Sequence, residues 1–355
     1  MSRQILPVHF APLQGFTECA YRQAHFLYAG GISAYYTPFL RVEKGEARAK
    51  ELRDLQQDMD FIKSRQNNTC HCENQAYNTS DEEAPRFYNV VPQVICRDAS
   101  EFSILVDAIQ KLKKDCGFAP DEVFPQIDIN MGCPFPMQAK SGRGSGLLPR
   151  VEIVREILEE VTNRAPLKFS VKMRLGYTSP EECLALLPLL NEAPLAHITM
   201  HPRLGIQQYK GALDFDAFQK FYKGCRHPVI FNGDITCIKD ILAIADRFPN
   251  LKGIMIGRGL LANPALATQY QSKETSDSAP LQALLKTHNS ILEDYRKRLQ
   301  GDAQVLDKIR PFWTYAVEAA QDPSRGQSDI PKRTIKKIAK ARNLSDYLNA
   351  VKELG

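Results

Sequence analysis

The feature that most constrains the fold of this chain is a repeated alternation of short β-type apolar runs with segments of helical periodicity. Eight such runs occur, in the order VHFAPL, AYYTPFL, NVVPQVI, QIDINMG, LKFSVKMRLG, HITMHPR, PVIFNGD and GIMIGRG. Between them, segments such as 99–117 and 149–165 carry apolar residues every three or four positions, which indicates amphipathic helices. Eight strands alternating with helices are typical of the α/β class, and the sequence predicts a (β/α)8 TIM barrel.

The remainder of the chain predicts three further regions. We expect the barrel to occupy residues 1–270, with a polar, Asn-rich insertion at 64–86 that is too long for an ordinary barrel loop. Residues 271–280 are Ser-rich and end in proline, which predicts a linker. Residues 281–355 show only helical patterns, at 281–300, 303–320 and 330–341, and predict a small all-helical domain.

Composition favours a cytoplasmic protein. Hydrophobic residues make up 43% of the chain and charged residues 25%, and no apolar run approaches the roughly 20 residues of a membrane span. The N-terminal residues show no secretory signal, and nine cysteines without regular spacing fit reduced thiols. Cys70, His71 and Cys72 lie close together but lack a second ligand pair, so we predict no metal.

The net charge of +5 arises entirely at the C-terminal end, where residues 281–355 contain 14 Lys/Arg against 9 Asp/Glu. One segment, KRTIKKIAKAR, has no acidic residue and contains Lys332, Arg333, Lys336, Lys337 and Lys340. Helical spacing places Lys332, Lys336 and Lys340 on one face. Such a stripe is either an ordinary solvated face or a contact for a polyanion.

Polar side chains cluster at the predicted carboxyl ends of the strands, where barrel enzymes place their active sites. The set comprises Gln93, Asp128, Asn130, Cys133, Lys172, Arg174, His201 and Arg203. Residues two apart in a strand project to the same face, so we expect these groups to meet at the barrel mouth. Taken singly, Lys172 could be a paired barrel lysine, His201 a core histidine and Cys133 a small buried hydrophobe.

Glycines after the seventh and eighth strands give a second signal. NGDI at 232–235 and GRG at 257–259 lie where barrels commonly bind phosphate through backbone N–H groups. Arg258 can add a charge-assisted contact. The position predicts a ligand that bears a phosphate.

Six motifs occur in a characteristic order: APLQGFTECAYR, DINMGCP, VKMRLG, HPRLGIQQYKG, NGDI and GIMIGRGLLANP. Over residues 8–266 the chain resembles the tRNA-dihydrouridine synthases. TPFLRVE and VLDKIRPFWTYAV are similar to the bacterial C-type subfamily of that family. The resemblance implies an FMN-dependent, NADPH-driven enzyme that reduces tRNA uridines to 5,6-dihydrouridine, with tRNA as partner and the helical tail as a tRNA-binding domain.

The resemblance also implies roles for individual residues. Pro12 and Leu13 would approach the isoalloxazine ring of FMN, Gln93 would hydrogen-bond its polar edge, and Lys172 and His201 would also contact the cofactor. The ribityl and phosphate end would be bound by Asn232, Gly233, Asp234, Gly257 and Arg258. Asn130 and Arg174 would lie near the uracil.

Cys133 would then act as a general acid. Hydride transfer from flavin N5 to uracil C6 generates negative charge at C5, and a thiol on the opposite side can protonate that carbon. This requires that the site leave the pKa of the cysteine near its ordinary ~8.5 and not lower it toward a thiolate. We expect residues 139–146, AKSGRGSG, to form a flexible basic lid. That loop, Arg203, Lys210 and the basic tail would then contact RNA phosphates.

Two other enzymes and one non-enzyme fit parts of the pattern. A flavin barrel that reduces a free pyrimidine would use the same cofactor site but would not need the basic tail. An aldolase-like barrel would use Lys172 as a Schiff-base nucleophile and would need no flavin. A non-catalytic RNA-binding module leaves the polar strand ends unexplained. We expect a monomer that needs no protein partner.

Overall fold

The computed structural model describes residues 5–68, 88–273, 281–321 and 331–355. Most of the predicted insertion, including Cys70, His71 and Cys72, lies outside the described residues, as does most of the predicted linker. Within the described residues, no helix combines the length and the apolarity that crossing a membrane requires.

A parallel sheet forms the centre of the fold. Its strands are β1 (Val8–Phe10), β2 (Ala34–Tyr36), β5 (Val90–Val91), β6 (Gln93–Val94), β7 (Gln126–Met131), β8 (Lys168–Gly176), β9 (Leu195–Leu204), β10 (Val229–Asn232) and β11 (Gly253–Ile256). The remaining described strands, β3 (Val42–Glu43) and β4 (Glu46–Ala47), pair as a separate antiparallel hairpin. The order β5-β2-β1-β11-β10-β9-β8-β7-β6 is parallel throughout.

Pro92 explains why nine strands form an eight-membered barrel. It separates β5 from β6 because it has no N–H to donate, yet its carbonyl accepts from Asp128 N at 2.9 Å. Thr37 Oγ1 accepts from the next amide, Gln93 N, at 3.0 Å. Residues 90–94 are therefore one broken strand that pairs with β2 on one side and β7 on the other, which closes the sheet. The predicted (β/α)8 barrel is confirmed.

The helices of the barrel region follow the predicted alternation. They are α1 (Cys19–Tyr28), α2 (Ala49–Asn68), α3 (Ala99–Asp115), α4 (Pro136–Ala139), α5 (Val151–Asn163), α6 (Glu181–Glu192), α7 (Phe215–Gly224), α8 (Ile238–Arg247), α9 (Arg258–Ala262) and α10 (Leu266–Gln271). A short 3-10 helix also spans Gly144–Leu147. Asp98 caps α3 by accepting from Glu101 N at 2.8 Å, which satisfies one of its free N-terminal amides.

The strands carry different chemistry on their two faces. In β7, Ile127, Ile129 and Met131 join the apolar core. The alternate residues Asp128 and Asn130 are also buried, and both hydrogen-bond to Gln93 across the neighbouring strand. The period of two thus packs apolar side chains against the helices and brings polar side chains together inside the barrel.

The C-terminal region is helical and packs against the barrel. It contains α11 (Leu281–Arg298), α12 (Asp302–Ile309), a 3-10 turn (Arg310–Trp313), α13 (Thr314–Gln321), α14 (Lys332–Lys340) and α15 (Leu344–Lys352). In its core the hydroxyl of Tyr347 lies 2.9 Å from Trp313 Nε1 and 2.7 Å from His288 Nε2. Lys308 Nζ pairs with Glu18 of the barrel at 2.8 Å. The sequence patterns had not indicated α15, and the division into two domains stays a prediction.

Candidate active site

A cavity of about 800 Å³ opens at the carboxyl ends of the barrel strands. It brings together Cys133 and every residue predicted to bind cofactor. Those lining residues are Pro12, Leu13, Gln93, Lys172, His201, Asn232, Gly233, Asp234, Gly257 and Arg258. Asn130 and Arg174, predicted to lie near the uracil, line the same cavity. The convergence follows from strand geometry, because parallel strands deliver their ends to one rim.

The backbone of Cys133 is fixed on both sides. Asn130 Oδ1 accepts from Cys133 N at 2.8 Å and from Gly132 N at 3.0 Å. The carbonyl of Cys133 accepts from both Ser145 N and Ser145 Oγ, each at 3.0 Å. Gly144 has φ 58°, and a Cβ added there would lie 2.8 Å from Cys133 Cβ. Any other residue at position 144 would have to adopt this positive φ and would also collide with Cys133. Only glycine therefore fits here without displacement of the backbone.

The loop at residues 139–146 therefore differs from the expected flexible lid. Its Gly144, Ser145 and Gly146 are buried, and Arg143 donates from Nε to Glu101 Oε2 at 2.9 Å. Arg143 and Glu101 also form a second contact that makes the pair bidentate. The prediction of a flexible lid was wrong, because Arg143 is used in a buried ion pair that ties the loop to α3. The loop supports Cys133 instead.

A directional chain of hydrogen bonds runs from Asp128 to Cys133. Asp128 Oδ2 accepts from Gln93 Nε2 at 2.7 Å, and Gln93 Oε1 accepts from Asn130 Nδ2 at 2.7 Å. Ser170 Oγ donates to the other Asp128 oxygen at 2.5 Å. A carboxylate only accepts, so Asp128 fixes the orientation of both amides, and Asn130 presents its oxygen to Cys133 N. Burial raises the pKa of Asp128 to about 6.

The cavity wall carries two positively charged side chains, Lys172 and Arg174, that are largely shielded from solvent. Burial, with the nearby Arg174, lowers the pKa of Lys172 to about 8. Burial likewise lowers the pKa of Arg174 to about 10. Arg174 donates to Gly132 O and Leu204 O, both at 2.9 Å, while its buried Nη2 has no hydrogen-bond partner in the described part of the chain. This leaves one donor that a ligand carbonyl could satisfy.

His201 is neutral. Burial and the surrounding Arg174 and Lys172 hold its pKa well below the ordinary value. Its Nε2 lies 3.3 Å from Arg203 Nη1, and because a guanidinium only donates, Nε2 must accept. The ring proton therefore resides on Nδ1.

Burial raises the pKa of the Cys133 thiol, while the nearby Arg174 and Lys172 oppose this effect. The thiol is therefore protonated at neutral pH, as a proton donor must be. This environment differs from that of a cysteine nucleophile, whose pKa is lowered.

The predicted phosphate end is built on the last two barrel strands. Asn232 Nδ2 donates to Met255 O at 2.7 Å, and Arg258 Nη2 donates to Asp234 Oδ1 at 2.9 Å. A Cβ on Gly257 would lie 3.0 Å from Leu13 Cδ1, so glycine allows the backbone to approach the segment that follows β1 closely. The arrangement leaves Arg258 as a cation at the rim, 37% exposed in its side chain.

The remaining predicted residues do not reach the cavity wall. Arg203 is 4% exposed, and its guanidinium donates to Asp234 Oδ1 at 2.9 Å and to Gly211 O at 2.7 Å. Arg203 thus ties the end of β9 to Asp234 and Gly211, and its contact with substrate stays a prediction. Exposed on α14 are Arg333, Lys336, Lys337 and Lys340, away from the cavity lining, whereas the side chain of Lys332 lies outside the described part.

Sequence reasoning missed several lining residues. The Tyr209 ring centroid lies 5.5 Å from Arg174 Cζ and 5.1 Å from Arg258 Cζ, which places it between two cations. Tyr315 and Glu318 of α13 complete the wall from the C-terminal region, and Tyr315 packs on Phe16 with centroids 5.1 Å apart. Tyr209 and Tyr315 lie within segments that carried the family resemblance, HPRLGIQQYKG and VLDKIRPFWTYAV, whereas no local pattern marked Glu318.

Comparison with known proteins assigns this chain to one class of enzyme. A family model described as Dihydrouridine synthase (Dus) matches residues 97–346. The chain is 33% identical over 238 residues to a "Probable tRNA-dihydrouridine synthase" of Staphylococcus epidermidis, covering 65% of this chain and 69% of that protein. A protein of the same name from Helicobacter pylori is 32% identical over 223 residues, covering 61% of this chain and 63% of that protein.

Among solved structures, morphinone reductase is similar with a TM-score of 0.48 and 10% identity, covering 76% of this chain and 86% of that chain. The family model and the relatives that match this sequence show that the chain is an oxidoreductase. It belongs to the dihydrouridine synthase family.

Proposed function

We propose that this protein reduces uridines of tRNA to 5,6-dihydrouridine with FMN as cofactor and NADPH as reductant. The observation that carries the proposal is the convergence, in a member of the dihydrouridine synthase family, of Cys133 and all ten predicted cofactor residues on one cavity. The relatives from Staphylococcus epidermidis and Helicobacter pylori are named as probable tRNA-dihydrouridine synthases, which supports tRNA as the substrate here.

The chemistry of the cavity fits FMN. Its volume of about 800 Å³ lies within the range of small-molecule and cofactor sites. The unpartnered Nη2 of Arg174 offers a donor to a carbonyl of the ligands, and Arg258 offers a cation to a phosphate. Pro12 and Leu13 would contact the flat ring, with Lys172 and Gln93 at its polar edge. When bound, FMN supplies the hydride that NADPH replenishes.

The residues of the chain supply proton transfer and orientation. Cys133 would donate its Sγ proton to C5 of the uracil, and the resulting thiolate would regain a proton from solvent. Arg174 and Lys172 would stabilise that thiolate while it exists, because both lower the pKa of the thiol. Asn130 and Ser145 hold the backbone of Cys133, so the thiol approaches the base in one orientation.

The tail would supply binding energy for a polyanion. A uridine in folded tRNA must leave its stack to enter the cavity, at a cost of a few kcal/mol. Exposed Arg333, Lys336 and Lys340 on α14 could offset this cost through contacts with phosphates.

The decisive experiment maps dihydrouridine by mass spectrometry in tRNA from a strain that lacks the gene, and in the same tRNA after incubation with purified protein, FMN and NADPH. We expect one or more uridines to gain two mass units on incubation. Reduction of free uridine but not tRNA would favour a free-pyrimidine reductase. A protein that stays colourless with added FMN would favour the aldolase-like alternative based on Lys172.

A further inference from the structure

Two large apolar side chains stand exposed at the rim of the cavity beside Cys133. Phe135 is 58% exposed and Met137 67% exposed. Both line the cavity, two and four residues after the thiol. Tyr209, which is 54% exposed, lines the same cavity. Concentration of exposed apolar groups at one opening marks a contact surface.

The local backbone fixes Phe135 in this exposed position. Pro134 and Pro136 flank it, which restricts the backbone torsions of all three residues. The carbonyl of Phe135 accepts from Gln138 N at 2.9 Å and from Ala139 N at 3.0 Å, as the N-cap of α4. The aromatic ring is therefore presented to solvent by a rigid turn, which lowers the conformational entropy lost when it binds a partner.

We infer that Phe135 and Met137 form an apolar wedge that packs against the nucleotides adjoining the reacting uridine. The inference rests on the proposed function. Consecutive Cα atoms are about 3.8 Å apart, so Phe135 lies within about 8 Å of Cys133 along the chain, a distance comparable to one nucleotide step. A side chain there reaches the ribose or base next to a uracil placed over Cys133, and no further.

The chemistry of the rim favours RNA as the partner. Nucleobases offer flat apolar faces between phosphates, so an RNA-binding rim combines apolar groups with cations. The cavity that Phe135 and Met137 line also contains the rim cations Arg41 and Arg258 and the buried Arg174, and Lys140 is exposed one residue beyond α4. A wedge would occupy the gap that the extruded uridine leaves and so oppose its return to the stack.

The test compares Phe135→Ala/Met137→Ala with Ile5→Ala/Leu27→Ala. The control removes two exposed apolar side chains, each 41% exposed, that do not line the cavity. After the target uridine has been mapped, 2-aminopurine placed next to it in tRNA reports unstacking by fluorescence. We expect the wedge variant to lose most of the fluorescence increase on binding and about tenfold in kcat/KM for tRNA. The control should match the wild type.

Each outcome decides the question. If the wedge variant retains both signals, or if the control loses as much, the wedge is excluded, and a protein partner becomes the alternative occupant of this rim. If the wild-type protein reduces no uridine in any tRNA, the proposed function fails first, and this inference falls with it.

Discussion

At the scale of single residues, the proposed mechanism depends on Cys133 being protonated. Its burial raises the pKa of the thiol, and the cations Arg174 and Lys172 only moderate that effect. A protonated thiol is a poor nucleophile but a suitable acid, and its neighbours stabilise the anion that forms when the proton leaves. The same surroundings therefore support both states that a general acid passes through.

Replacing Cys133 tests this directly. We expect Cys133→Ala to lower kcat for tRNA reduction by at least about hundredfold, because the proton donor is lost. The flavin absorption spectrum should persist, since the cofactor contacts lie on other strands. Dihydrouridine measured by mass spectrometry gives the rate, and Cys225→Ala, another half-buried free thiol, is the control. Full activity in Cys133→Ala would show that the acid is a different group.

At the scale of elements, the 3-10 turn at Gly144–Leu147 determines where Cys133 sits. It contributes two hydrogen bonds to the cysteine carbonyl and a glycine against the cysteine Cβ. Arg143 and Glu101 then anchor the turn to α3. The position of the reactive group thus depends on an ion pair that does not touch it.

Gly144→Ala should displace Cys133. A non-glycine residue at φ 58° costs roughly 1–2 kcal/mol, and its Cβ would lie 2.7 Å from Cys133 O. Gly142→Ala is the matched control, because φ is 78° there but the new Cβ would meet the mobile end of Arg150. Both variants should lower Tm, but only Gly144→Ala should change kcat and the rate at which iodoacetamide alkylates Cys133. Equal effects of the two would assign the turn a purely structural role.

Helix α14 has one apolar face and one basic face. Ile335 and Ile338 are buried, whereas Lys336 and Lys340 are exposed, and Lys337 pairs with Glu353. Lys336 and Lys340 are therefore available to bind a polyanion, whereas Lys337 is already paired.

Charge reversal on α14 should weaken tRNA binding. For Lys336→Glu/Lys340→Glu we expect a higher Kd for tRNA. We also expect the slope of log Kd against log salt concentration to fall by about two, one for each lost phosphate contact. The flavin content should be unchanged. Lys220→Glu/Lys223→Glu on α7 makes the same charge change elsewhere and should bind normally. Binding equal to wild type in the α14 variant would remove the tail from the tRNA interface.

The sequence predicted the barrel and the cavity because both follow from short-range patterns. Alternation fixed the strands, and the strand ends placed residues such as Gln93 and Lys172 on one rim. The sequence did not predict that Arg143 would pair with Glu101, because that contact joins distant segments and no local periodicity encodes it. For the same reason Tyr315 and Glu318 were missed as cavity residues, and the ion pair of Arg203 with Asp234 was not predicted.

At the scale of the whole molecule, five histidines shielded from solvent contribute to the response to acid; three are fully buried, and His9 and His197 are partly buried. Burial lowers the pKa of each of these: His9 and His25 to about 3, His197 and His288 to about 4, and His201 well below its ordinary value. The unfolded chain binds protons at these groups near pH 6.5, whereas the folded chain does not. Their contribution to stability is therefore present above about pH 6.5 and is lost as pH falls toward 4.

We expect the free energy of unfolding to fall between pH 7 and pH 5, by up to about 1.4 kcal/mol per pH unit for each of these histidines. Asp58 and Asp128 act in the opposite direction, because burial raises the pKa of each carboxyl and so favours the folded state at low pH, but they are two groups against five. Urea denaturation at pH 7, 6 and 5 measures the change. His197→Gln should show a shallower decline, and a stability independent of pH over this range would contradict the assignment.

The helices after residue 281 do more than extend the barrel, because α13 places Tyr315 and Glu318 in the cavity wall and Lys308 pairs with Glu18. A chimera that received the tail of another family member would therefore acquire new cavity residues together with a new basic surface. The cavity wall and the surface of the tail are thus inherited as one unit, and transplanting either requires transplanting both.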